Sequence, residues 1–93
     1  MYTLFETKKF CKSLKRVSNL SGGKNIVKEI RTCLSILQTG KALPTNYKDH
    51  SLKGELQGFR ECHIRGDILL VYKIIQDKMV IVLVEIGSNS YLF

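Results

Sequence analysis

The chain has 93 residues, 44% of them apolar, and 15 lysines and arginines against 8 aspartates and glutamates give it a net charge of +7. A chain of this length holds one small core, near the lower limit for a domain without disulfides or metals, with little to spare for a second module. No apolar run approaches the roughly 18 residues of a membrane-spanning helix, the first ten residues lack the apolar stretch of a signal peptide, and Cys11, Cys33 and Cys62 form no CxxC pair.

These exclusions leave a cytoplasmic protein with three buried, reduced thiols, no metal and no cofactor as the expectation. Tyr2 to Glu6 is short and aromatic and reads as a strand, after which Thr7 offers an N-cap oxygen to a helix. On that helix Phe10, Cys11, Leu14 and Val17 share one face, and Lys8, Lys9, Lys12, Lys15 and Arg16 cover the rest. The NLSGG run from Asn19 to Gly23 breaks the helix. A second, from about Lys24 to Gln38, repeats Ile26, Ile30, Cys33, Leu34 and Leu37 at spacings of three and four, with Gly40 as its stop.

From Lys41 to Gln57 no period survives, and a connection that long inside a compact domain is commonly functional. Three strands follow, Gly58 to Ile64, Ile68 to Ile75 and Met79 to Ile86, joined by short turns at Arg65-Gly66 and Gln76-Asp77. Short turns make them an antiparallel meander, and apolar residues on both faces imply cover on both sides or nearly so. The predicted fold is α+β: a single domain over residues 1–93 with two N-terminal helices packed on a mainly antiparallel sheet of about four strands.

Charge is unevenly spread. Residues 1–31 carry Lys8, Lys9, Lys12, Lys15, Arg16, Lys24, Lys28 and Arg31 against Glu6 and Glu29. A basic surface of this kind is the footprint of nucleic-acid binding, although a solvated helix face has the same composition.

Alternation places Phe59, Glu61 and His63 on one face of their strand, with Arg60, Cys62 and Ile64 on the other. A carboxylate beside an imidazole orients the ring and stabilises its protonated form. His50 stands after Asp49 in the preceding loop and Asp67 at the next turn, so these groups could converge at one sheet edge. RNA is cut without metal when its own 2′-hydroxyl attacks the phosphate, since the protein then only takes one proton, returns another and stabilises charge. Two histidines in a small domain also serve structure or surface, and the residues alone leave both readings open.

The segments YKDH, GFRECHI, ILLVYK and the tail GSNSYLF together resemble the YafQ branch of the RelE superfamily, bacterial toxins that cut messenger RNA on the ribosome. The resemblance implies a microbial-ribonuclease-like fold and carries functional positions onto His50, Glu61, His63, Asp67, Asn89 and Phe93, with Asn89 where the family places a histidine. It implies cleavage of the A-site codon to a 2′,3′-cyclic phosphate, weakened by Asn89. RNA contacts would come from Lys8, Lys9, Lys12, Lys15, Arg16, Lys53 and Arg65, with Phe93 and Tyr91 stacking on a base; Tyr91 could equally pack on the sheet. Arg60, facing inward, suits a buried pairing role. The implied partners are a cognate antitoxin, the ribosome with its mRNA, and operator DNA only through the antitoxin. The competing reading is a non-cleaving ribosome blocker or an antitoxin-dependent co-repressor.

Overall fold

The structure, a computed structural model, describes residues 1–88. Strand β1 (Thr3–Glu6) leads into helices α1 (Lys8–Ser18) and α2 (Gly23–Gln38). After a long connection come the two-residue β2 (His50–Ser51), then β3 (Arg60–Arg65), β4 (Ile68–Ile75) and β5 (Val80–Ser88). The sheet has five strands in the order β1-β5-β4-β3-β2. β1 runs parallel to β5, while the other pairs are antiparallel. The α+β fold with two helices on a sheet is as expected, and the meander β3-β4-β5 forms its centre. The sheet gains a fifth strand because the loop before β3 pairs briefly with it.

Local chemistry explains the helices. Thr7 caps α1, its Oγ1 accepting from the Phe10 N–H at 3.1 Å, and the same hydroxyl donates to the Leu83 carbonyl at 2.8 Å. Lys15 and Arg16 in the last turn suit the negative end of the helix dipole. The break between the helices depends on glycine twice. Gly22 sits at φ 75°, and a Cβ at Gly23 would meet the Ser18 carbonyl oxygen at 2.3 Å.

The core lies between the helices and one sheet face, built from Phe10, Val17, Ile30, Leu34, Cys62, Leu70, Tyr72, Leu83 and Ile86 among others. Beyond the end of β1, α1 takes over the edge of β5: the buried Ser13 hydroxyl accepts from the Ile86 N–H at 2.9 Å and donates to the Phe10 carbonyl at 2.9 Å. Burial of the three thiols needs correction. Cys33 and Cys62 are fully buried with their sulfurs 3.7 Å apart, but Cys11 is exposed, because Ser13 rather than Cys11 completes the inner face of α1. The hydrogen bond with Cys33 and then burial push the Cys62 thiol up, which keeps it neutral. No helix among the described residues is long and apolar enough to cross a membrane.

Candidate active site

Strand β3 divides its side chains by alternation. Cys62 and Ile64 point into the helix-side core, so Glu61 and His63 stand on the face turned away from the helices. That face continues on β4 with Leu69, Val71 and Lys73, since Leu70 and Tyr72 are in the core. Leu69 and Val71 are nonetheless buried and give the face an apolar floor.

β2 brings His50 to this face, directly opposite Glu61. Its Nε2 lies 3.4 Å from Glu61 Oε1, an ion pair when the ring carries its second proton. Nδ1–H donates to the Lys48 carbonyl at 2.8 Å. A carbonyl can only accept, so this bond fixes the tautomer and leaves Nε2 as the nitrogen available for proton exchange. The His63 ring stands 6.4 Å from that of His50, centroid to centroid, tilted by 43°. Two imidazoles and a carboxylate therefore share one surface.

Glu61 is unusual within this group. Its side chain is only 7% exposed, and Oε2 is buried with no hydrogen-bond partner among the described residues. A buried carboxylate oxygen without a donor is costly. The carboxylate thus faces His50 rather than its own-strand neighbour His63. The reason is distance: same-face neighbours on one strand stand about 6.8 Å apart, whereas directly opposite residues on paired strands have Cα atoms about 4.5–5.5 Å apart.

Beneath the site a polar cluster holds the loop that carries His50. Asp49 accepts from Arg60 Nη2 at 2.7 Å and Nε at 3.2 Å through Oδ2, and from the Tyr72 hydroxyl through Oδ1. Arg60 has the inward pairing that alternation suggests. Its pKa is raised first by the hydrogen bond to Asp49, and that of Tyr72 first by burial, so Arg60 stays a cation and Tyr72 a donor.

The other sequence-predicted residues are scattered. Asp67 lines a cavity of about 280 Å³ with Arg16, Val17, Leu20, Ile68, Gly87 and Ser88, a lining that includes neither histidine. Arg65 pairs with Glu29 at 2.7 Å and Lys9 with Glu85 at 3.2 Å. Lys8, Lys12, Lys15 and Lys53 are exposed. Asn89, Tyr91 and Phe93 lie outside the described residues. Sequence reasoning passed over Phe59 as a contact and did not notice Lys73, whose ammonium stands 5.2 Å from the Phe59 ring centroid. The pattern FRECH held that signal, because Phe59 falls two residues before Glu61 on the same face.

Comparison with known proteins places the chain in a family. Residues 2–93 match the family model of the bacterial toxin of type II toxin–antitoxin systems, YafQ. The mRNA interferase toxin YafQ of Escherichia coli B is 32% identical over 65 residues, 70% of this chain and 68% of that protein. A metal-bound toxin from Helicobacter pylori is 40% identical in its crystal structure, with a TM-score of 0.84 and full coverage of both chains. YafQ in the E. coli DinJ–YafQ complex is 26% identical, with a TM-score of 0.81, covering 100% of this chain and 99% of that one. The chain belongs to the YafQ family of bacterial toxins of type II toxin–antitoxin systems.

Proposed function

We propose that this toxin is a ribosome-dependent mRNA endonuclease that cleaves the A-site codon by attack of the 2′-hydroxyl on the adjacent phosphate. The observation that carries this reading is the juxtaposition of His50, Glu61 and His63 on one sheet face, with Nδ1 of His50 held by the Lys48 carbonyl and its Nε2 beside Glu61 Oε1. The family's interferase name supports the reaction class.

In this mechanism one imidazole of the His50–His63 pair takes the proton of the 2′-hydroxyl, and the proton for the leaving 5′-oxygen comes from position 89 where that residue is histidine and, less effectively, from the other imidazole where it is asparagine. Glu61 accepts a hydrogen bond from the hydroxyl or balances the imidazolium of His50. The nucleophile belongs to the RNA, so the chemistry requires acid, base and charge stabilisation but no metal. The exposed lysines of α1, with Arg16 and Lys53, contact ribosomal RNA, and Asp67 at the turn after β3 belongs to the catalytic group. Arg65 reaches phosphate by exchanging Glu29 for it, and Tyr91 and Phe93 stack on a base. A cognate antitoxin in the cytoplasm masks the basic surface and carries the operator-reading domain; the E. coli complex of YafQ with DinJ supports such a partner.

Asn89 favours a second reading for the protein as it stands. An amide holds a phosphate oxygen but exchanges no proton near neutral pH, so cleavage would be slow and occupation of the A site would dominate. Mapping 5′ ends of mRNA on translating ribosomes decides between them. Codon-specific new ends are expected from the enzyme; stalled but intact message would establish the blocker. Transition-metal chelators with magnesium retained should leave cleavage unchanged, and their inhibition would overturn the metal-free mechanism.

A further inference from the structure

Strand β2 is only two residues long, and its His50 side chain is half exposed. So short a strand cannot by itself hold a ring in one orientation. The residue before the clamp, Lys48, adopts φ 49° and ψ 40°, a left-handed conformation that disfavours a side-chain-bearing residue. Something must hold it there. On one side the turn itself does so, the Lys48 N–H donating to the Thr45 carbonyl at 3.0 Å; on the other Asp49 is the tie, with Arg60 on β3 gripping one carboxylate oxygen and Tyr72 on β4 gripping the other. Arg60 and Tyr72 are themselves opposite one another in the sheet, so the carboxylate is gripped from a rigid platform. The carbonyl of the peptide that joins Lys48 to Asp49 accepts the Nδ1–H of His50.

We infer that Asp49, held by Tyr72 and Arg60, is a positioning residue that sets the tautomer and orientation of His50. The chain of contacts runs from the core to the surface: Tyr72 and Arg60 fix Asp49, Asp49 fixes the backbone at Lys48, and the Lys48 carbonyl fixes which imidazole nitrogen bears the proton. Asp49 acts through His50 rather than on the substrate. Its side chain leaves the strand on the side of Arg60 and Tyr72, while that of His50 leaves on the side of Glu61. The inference rests on the acid–base role proposed for His50, but the tautomer can be read without any cleavage assay.

The test uses ¹⁵N-labelled protein, in which His50 and His63 are the only two imidazoles. Long-range nitrogen–proton spectra in the neutral state should show the wild-type His50 protonated at Nδ1. In Asp49→Ala the His50 signals should move to a mixture including the Nε2–H form, while those of His63 stay in place. Single-turnover cleavage on ribosomes, in a background carrying Asn89→His, should fall about 10²-fold with ribosome affinity unchanged. Tyr72→Phe keeps the Arg60 contact and should give the same spectral change in smaller degree, which keeps the test alive if Asp49→Ala does not fold. A retained Nδ1–H tautomer in a folded variant overturns the inference. Absence of cleavage in the parent, with the tautomer still responding to Asp49, overturns only the proposed enzyme.

Discussion

Tyr72 should control how this protein loses stability in alkali, and Tyr72→Phe exposes the effect. The side chain is 1% exposed and its hydroxyl donates to a carboxylate that also holds Arg60. Removing a hydrogen bond to a charged group costs about 1.5–3 kcal/mol, so a loss of about 2 kcal/mol is expected at neutral pH, near 10 °C in Tm for a domain of this size. The pKa of Tyr72 is raised above its ordinary value, first by burial and then by Asp49. The folded protein therefore retains a proton that the unfolded chain sheds above about pH 10. A raised pKa contributes stability that is whole below the unfolded value and declines as pH climbs above it. The slope is about 1.4 kcal/mol per pH unit for one group. Cys62, raised by Cys33 and burial, adds a similar slope beginning about one unit lower. Tyr72→Phe abolishes only the tyrosine part. The two stability curves should run parallel to about pH 10 and then converge, meeting about 1.5 units higher, where the accumulated linkage equals the lost 2 kcal/mol. Urea unfolding followed by far-ultraviolet circular dichroism, under reducing conditions and across a pH series, measures both curves. Curves that stay parallel through the alkaline range would refute the assignment of a buried, proton-retaining Tyr72.

His63→Ala, in a background carrying Asn89→His, should lower single-turnover cleavage by about 10² to 10⁴ while ribosome affinity holds, as expected for removal of a general acid or base. Equal loss of both would make His63 a binding residue. Reversing the charge of Lys8, Lys12 and Lys15 together should weaken ribosome binding and flatten its salt dependence, since fewer counterions would be released. Lys9 is the internal control, because its pairing with Glu85 leaves less charge to offer and its reversal should cost stability as well. Asn89→His alone should raise cleavage by roughly 10² and make expression toxic without antitoxin; an unchanged rate would remove position 89 from proton transfer.

Short-range signals made most of the framework legible. Thr7 announced the start of α1, and the spacing of Ile26, Ile30, Cys33 and Leu37 announced α2. The apolar runs and short turns of β4 and β5 announced the meander. What escaped was set by partners distant in sequence. β2 has no pattern of its own because its Asp49 anchor depends on Arg60 and Tyr72, 11 and 23 residues away. Free cysteine is usually buried, but Cys11 is exposed, because a serine with two internal hydrogen bonds occupies the inner face instead. At the candidate site, the facing of Glu61 and His63 followed from alternation, while the pairing of Glu61 with His50 required the strand register.

The same register explains how so small a domain supports both a core and a candidate site. Strand β3 contributes Cys62 and Ile64 to packing and Arg60 to the loop anchor, and it contributes Glu61 and His63 to the opposite face. Packing residues and candidate site residues alternate along one strand. A substitution at Glu61 or His63 removes little apolar packing and should act mainly on the reaction, whereas one at Cys62 opens a void in a fully buried contact with α2. Arg60 stands between these classes, since its guanidinium secures the loop whose next residue is His50. The site is thereby tied to the core through Asp49, and this coupling lets an exposed histidine on a two-residue strand keep a defined orientation.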